Sequence, residues 1–257
     1  MEKEQEVYFV IPIPPSNYDT IARKGIQHVL HQSTTANRHE RVIVVGETDI
    51  LTRENLGTNS SRVVFLKSGV ASYVIQGETT ALDGRHLAAA YAGKASSLNA
   101  IAEPMTNKPL VGFNISEQVK FSNLELEKLT KEGITVICKT PDRKLVRRSI
   151  STATSKLAAE EEPSIVRIGD YIAINIRRLL EDKYVGRPIR QDIVEEVNVS
   201  TNKFLQQQIA NRLISEYANV NVKVDLQESR QVNVTFDCRP LYPLNHISIS
   251  INAVTNI

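Results

Sequence analysis

Apolar residues in this chain come in short unbroken runs near its start, at helical spacing through its middle, and in strict alternation towards its end. Val7–Ile13, Arg41–Val45 and Arg62–Leu66 read as buried strands, and Ser72–Ile75 as a short fourth. Pro14-Pro15-Ser16-Asn17 predicts a turn after the first. A helix follows over Thr20–His31, capped by Asn17 or Asp19, with Ile21, Ile26, Val29 and Leu30 as its apolar stripe. Strand, helix, strand, strand predicts a small α/β layer with a parallel component.

Residues 79–113 form the stretch around which the rest is arranged. Asp83 is placed to cap a helix whose run Leu87-Ala88-Ala89-Ala90-Tyr91-Ala92 is mostly small, so the helix is expected to be packed on most sides. Pro104 and Pro109 bracket Thr106-Asn107-Lys108, and a residue before proline is driven out of the α region, which predicts a stiff extended segment. A helical stretch over Ser116–Leu129 carries Leu124, Leu126 and Leu129, and Gly133 ends it. Ile134–Cys138 and Lys144–Ile150 make a β-hairpin about Pro141-Asp142.

A polar stretch, Thr152–Glu162, leads to the longest helix, Ile165–Tyr184, with Ile168, Tyr171, Ile172, Ile176 and Leu179 on one face. Gly186 and Pro188 stop it. Ile189–Tyr217 reads as two helices, the second capped by Ser200 or Thr201. Val220–Leu226 and Gln231–Cys238 alternate as a half-buried antiparallel hairpin. After Pro240 and Pro243, Ile247, Ile249 and Ile251 alternate with Ser248, Ser250 and Asn252. Such a terminal strand can leave its own domain and pair with an exposed edge elsewhere.

Composition narrows the function. The chain has 257 residues, enough for one large or two modest domains, and a net charge of +2, which gives no push towards nucleic acid or anionic membrane. No apolar run is long enough to span a bilayer, and the acidic start MEKEQE is not a signal peptide. Cys138 and Cys238 are expected to be buried reduced thiols. Val42–Thr48 ends a strand with a single glycine, whereas a phosphate cradle needs several. His28 and His31 are one helical turn apart, but no further ligand completes a metal set, and they are expected to face solvent. Asp83 with His86 is explained by capping, and Ser96-Ser97 lacks any nucleophile elbow. The acidic cluster Glu160–Glu162 and the basic cluster Arg143–Arg148 are solvated faces or complementary contacts between copies. The sequence therefore predicts no catalytic residues, cofactor or metal. An α/β enzyme with a small-molecule site on the sheet edge is the alternative from another class.

The segment D-G-R-x-L-A-A-x-x-A-G at residues 83–93, followed by P-x-T-N-K-P-L at 104–110, resembles the tail sheath proteins of contractile phage tails and related injection machines. Ser164–Ile172, containing V-R-x-x-D-Y-I, and the strand-and-hairpin region 129–148 are similar to the same family in the same order.

The resemblance implies a mixed α/β (α+β) fold. A sheath-type main domain would cover residues 1–244, with an α/β part at 7–113 and a helical and hairpin part at 114–244. A C-terminal strand arm would follow at 245–257. It further implies a structural subunit that forms stacked hexameric rings around an inner tail tube, is linked by arms between neighbours, and contracts to drive the tube through a cell envelope. The implied partners are other copies of the chain, the inner tube protein, and baseplate and tail terminator or neck proteins, with no direct nucleic acid and no membrane insertion. The implied location is the virion tail, assembled in the host cytoplasm. A capping or initiating component of the same machine is the alternative within the class. Ile247, Ile249 and Ile251 would be the inter-subunit strand. A helix over Asn202–Tyr217, with Phe204, Leu205, Ile209, Leu213 and Ile214 inward, would turn Lys203, Gln207 and Arg212 towards the tube. Only Met1–Glu6 precede the first strand, so the family's N-terminal arm is expected to be very short, absent, or supplied by another chain.

Overall fold

A computed structural model describes all residues except 1–6, 15, 69–70, 76–77, 116–120, 141–143, 156, 246 and 251–257. In chain order the elements are β1 (Phe9–Val10), α1 (Tyr18–Gln32), β2 (Val42–Gly46), α2 (Arg53–Leu56), β3 (Val63–Ser68), β4 (Ala71–Ile75), β5 (Glu78–Leu82) and α3 (Gly84–Ser96). There follow β6 (Asn114–Ile115), α4 (Asn123–Lys131), β7 (Ile134–Lys139), β8 (Lys144–Val146), α5 (Ala158–Glu161), α6 (Pro163–Tyr184), α7 (Gln191–Ala210), β9 (Ile214–Val224) and β10 (Val232–Pro240).

The central sheet has the order β1-β2-β3-β7-β8; its first four strands are parallel and β8 is antiparallel. Both faces are covered, which is why the strand runs are apolar without a break. The period of two then divides them. Ile43, Val45, Val63 and Phe65 pack on α1 and α4, while Val42, Val44, Val64 and Leu66 pack on α3. A second layer is helical. Ile168 and Ile172 of α6 meet Leu205 of α7 and Ile214 of β9, with Phe236 of β10 alongside. Further along, Tyr184, Ile193 and Val197 pack on Val222 and Val234. This mixed α/β chain thus buries one core on each side of its central sheet and two smaller clusters beneath the hairpin.

Several expectations shift. Residues 72–75 do form a strand, β4, but in a separate antiparallel sheet of order β5-β4-β6 rather than in the parallel layer. In α1, Asn17 sits at the cap with φ 52° and makes no side-chain cap bond; Tyr18, Ala22, Ile26 and Val29 are buried, while Ile21 and Leu30 are exposed. In α6, Leu179 is likewise exposed, and so is Leu124 of α4. The turn expected at Pro141-Asp142 lies outside the described residues, although the strands on either side pair as expected. Residues 189–217 hold one helix, not two. Thr201 Oγ1 donates to Val197 O inside α7, so its hydroxyl is satisfied without a cap. The chain then turns at Arg212 (φ 57°) and enters β9 at Ile214. Both cysteines are free, but Cys138 is half-buried and Cys238 exposed, where it lines a surface cleft with Ile168 and Ile172 of α6.

The residues from Pro104 to Leu110 are extended only in part. Met105 to Lys108 close a turn, with Asn107 at φ 63°. Residues 107–110 then run antiparallel to β8: Asn107 N–H donates to Val146 O, Val146 N–H to Lys108 O, and Leu110 N–H to Lys144 O. Pro109 lacks an N–H and tolerates this outer position.

One contact fixes α3 on the sheet. The backbone of Gly84, at the helix start, touches the end of β2, and Gly84 N–H donates to Glu47 O at 3.1 Å. A Cβ on Gly84 would lie 2.1 Å from Glu47 O, and one on Gly46 would lie 1.8 Å from Gly84 O. Gly84→Ala is therefore expected to cost at least about 2 kcal/mol, as overpacking against backbone cannot relax by rotamer change. Gly93→Ala on the same helix meets nothing within 4 Å and should stabilise by about 0.5–1 kcal/mol. Urea unfolding of both variants checks the opposite signs.

Candidate assembly surfaces

The sequence motifs converge on the seam between the two layers. Asp83 caps α3 by accepting from Arg85 N–H at 3.1 Å, and also accepts from Arg85 Nε at 2.6 Å. The other end of that guanidinium donates to Pro14 O at 2.6 Å, tying the helix start to the chain leaving β1. His86 Nδ1 lies 2.9 Å from the same carboxylate. The pair Asp83–His86 is thus part of a cap and an ion-pair cluster. Burial works against the Asp83 carboxylate, but Arg85 and His86 outweigh it and hold its ionisation below the usual range.

Arg167 on α6 makes the largest single set of bonds across the seam. Its Nε donates to Ile101 O (2.8 Å), Nη1 to Ala95 O (3.1 Å), and Nη2 to Ala100 O (3.2 Å) and Glu103 O (2.8 Å). The guanidinium therefore collects carbonyls from the last turn of α3 and the loop after it, where the helix dipole also favours a cation. A lysine has no planar fork with which to do this.

One turn on, Asp170 is buried between layers. It accepts from Tyr8 Oη at 2.9 Å and is ion-paired with Arg62. Burial pushes its carboxyl up, with Arg62 and Tyr8 opposing that shift. Arg177 Nη2 donates to Glu40 at 2.8 Å further along the same helix. Arg167 and Asp170 lie inside the V-R-x-x-D-Y-I motif, which by itself gives them no role, and Tyr8, Arg62, Glu40 and Arg177 belong to no motif. The signal was available: charged residues occur at positions 167 and 170, within a helix whose 165, 168 and 172 positions are apolar.

The remaining candidates have other uses. His28 Nε2 lies 2.6 Å from Arg41 Nη1, and His31 bonds with Asn37. Ser96 and Ser97 hydroxyls donate to helix carbonyls. Gly46 serves close packing, not phosphate. Among the described residues no three His, Cys, Asp or Glu side chains are grouped to hold a metal, and no helix is long and apolar enough to cross a membrane.

What the fold leaves open lies on its periphery. The β9–β10 hairpin forms a two-stranded sheet, and both of its outer edges are unpaired among the described residues. Its inner face half-buries Val220, Val222, Val234 and Phe236, while Asn221, Asn233 and Thr235 face out. A groove of about 630 Å³ runs between its tip and the helix ends, floored by Tyr184, Ile193, Val197, Val232 and Val234 and rimmed by Arg187 and Arg230. The C-terminal segment leaves the domain exposed: Ile247 is 69% and Ile249 78% accessible. Neither is in a strand of its own chain, and Ile251 lies outside the described residues. Lys203 and Gln207 are exposed on α7, with Gln207 Nε2 donating to Asn211 Oδ1. Phe204, Leu205 and Ile209 face inward as expected, but Arg212 projects from the turn after the helix and not from its face.

No family model matches the sequence. It is 29% identical over 236 residues to the tail sheath protein of Mycobacterium phage Bxz1, an alignment covering 87% of this chain and 40% of that protein. The chain thus spans less than half the length of that relative. The fold is similar to that in the anti-feeding prophage baseplate (TM-score 0.78, 15% identity, 99% of this chain and 70% of that one). It is equally similar to the helical sheath of the same particle in its contracted state (TM-score 0.77, 16% identity, 98% and 71%). The resemblance to tail sheath proteins read from residues 83–110 and 164–172 holds, and the fold is that of contractile sheaths.

Asp170→Asn should cost about 3 kcal/mol, because it strands Arg62 in a partly buried site without its counter-charge. Replacing both partners together by apolar residues should cost less than the single change. Thermal unfolding of the two variants measures the difference.

Proposed function

We propose that this chain is a structural subunit of a contractile tail sheath. It would polymerise as stacked hexameric rings around an inner tail tube and contract to drive the tube through a cell envelope. The observation that supports this most is a sheath fold matched over nearly the whole chain, joined to sequence identity with a phage tail sheath protein. The chain works as a building block and not as an enzyme. Contraction is then a passage between two sets of interfaces in which the extended one is trapped at assembly, and no nucleotide is hydrolysed. The partners would be further copies of the chain, the tube protein, the baseplate, and a terminator or neck protein. The location would be the virion tail, after assembly in the host cytoplasm. Similarity to a fold found in a baseplate keeps a capping or initiating role as the second reading; electron microscopy of the purified chain, showing long tubes or single rings, separates the two.

Residues 1–244 form the main domain in this reading and 245–257 the arm. Ile247, Ile249 and Ile251 would enter a neighbour's β9–β10 hairpin as a third strand, using its open edge for main-chain bonds and its half-buried valine face for side chains. Removing residues 245–257 should leave a soluble core that melts within a few degrees of the full chain but forms no tubes or rings. Loss of the fold on truncation would show instead that the segment belongs to its own domain.

Lys203, Gln207 and Arg212 would meet the tube through weak contacts that release during contraction. Exposed ion pairs contribute only about 0–1 kcal/mol each, and repetition around every ring makes them sufficient. Lys203→Glu with Arg212→Glu should preserve polymerisation but reduce co-assembly with tube, more strongly at low salt than at high. Unchanged yield of extended tails at both salt concentrations would remove this surface from consideration.

A further inference from the structure

The C-terminal segment is held to its own domain at two described points. Leu241 N–H donates to Leu213 O at 3.0 Å, and Asn245 Nδ2 donates to Glu162 Oε1 at 2.6 Å. Beyond the second point Ile247 and Ile249 are exposed. Glu162 is the residue before α6 begins and is only 3% accessible. Arg148 Nη2, from the chain after β8, lies 3.4 Å from the same carboxylate oxygen. Four atoms around this junction have no protein partner among the described residues: Glu162 Oε2, Arg148 Nε, Ser164 Oγ and Asn245 Oδ1. A buried polar cluster that is only partly satisfied favours its closed arrangement weakly and loses little by rearranging.

We propose that Glu162 and Asn245 form a latch that sets whether the root of the C-terminal segment, at Asn245, is tied to its own domain or released from it. Closed, the latch holds the segment's root by a charge-assisted bond, about twice as strong as a neutral one. Open, it frees Asn245 and, of the described residues after it, Ile247 to Ser250, while Arg148 stays beside the carboxylate and keeps it from being stranded. The assignment of the freed segment as an inter-subunit arm rests on the sheath reading; the latch itself does not.

Among the described residues the titratable groups facing Glu162 are Arg148, Glu161 of α5 and, from α3, the buried Tyr91 hydroxyl. Burial raises the Glu162 carboxyl above the usual range, with Arg148 and Asn245 opposing. The sign follows. A raised folded-state value means the fold gains stability from this group as pH falls through it, because the buried carboxylate is then neutralised. The latch responds oppositely, since protonation removes the charge that strengthens the Asn245 bond. Acid should therefore open the latch without lowering the melting temperature through this residue.

The test uses the full chain with Cys138→Ser, Cys238→Ser and Ile249→Cys, spin-labelled at 249, at a concentration where sedimentation shows monomer. Asn245→Ala and Glu162→Ala should each raise the mobile fraction of the label severalfold, and the double variant no further. Glu162→Gln should be intermediate and indifferent to pH, whereas the parent should become more mobile as pH falls from neutral through the raised range of the Glu162 carboxyl. Asn245→Asp, which sets a second carboxylate against Glu162, should open the latch at neutral pH and carries the test if Glu162→Ala fails to fold. Equal mobility in the parent, Asn245→Ala and Asn245→Asp would overturn the latch, as would additive effects in the double variant. Because the readout is made on monomer, failure to polymerise bears only on the sheath reading.

Discussion

The architecture depends on one guanidinium. Arg167 holds the loop that leaves α3, through four carbonyls drawn from Ala95 to Glu103. That loop also packs Ile101 and Ala102 against the core beneath the hairpin. The same side chain therefore fixes the α/β layer to the helical layer. The other ties, Asp170 with Tyr8 and Arg62 and Arg177 with Glu40, lie along the same helix. α6 is fastened to the sheet by a line of ionic and polar bonds, while its apolar side packs on α7. Buried ion pairs of this kind add little net stability over apolar packing, but they specify one register of helix on sheet.

Rigidity of that kind would suit the sheath subunit proposed above, which would move as a body. Gly46 and Gly84 bring β2 and α3 into backbone contact, Tyr91 Oη and Ser149 Oγ share a buried bond at 2.6 Å, and residues 107–110 are laced to β8. Against this, among the described residues the hairpin has open edges and the last of them lie outside any core. The unsatisfied backbone and apolar groups are thus concentrated at the periphery, where another chain can reach them. Chemistry points the same way. At the start of α3 the polar side chains Asp83, Arg85 and His86 are spent on capping, on a carbonyl and on one another.

Much of this was legible in the residues. Unbroken runs at 42–45 and 63–66 announced strands covered on both faces, and the alternation at 220–238 announced a hairpin covered on one. Asp83 was recognisable as a cap, since an aspartate before a small-residue helix has few other uses. These inferences succeed because periodicity and capping are local: they depend on which face of a short element meets water. Local spacing also misled. Thr201 looked like a cap because β-branched hydroxyls favour helix starts, yet packing of Val197 and Leu205 on the hairpin carries the helix straight through it.

What the residues alone did not determine was which elements meet. β4 reads like its neighbours but pairs with β5 and β6, since strand propensity says nothing of partner. Arg212 was placed on a helix face that the chain has already left, because only the docking of β9 on α7 decides where the helix ends. Arg167, Asp170, Arg62 and Tyr8 are separated by up to 162 positions, and nothing in their spacing joins them. The sequence by itself determined the central strands, the late hairpin, most of the helices and a family likeness. The tertiary structure decided the pairings, because a buried charge finds its counter-charge only where long-range packing has excluded water.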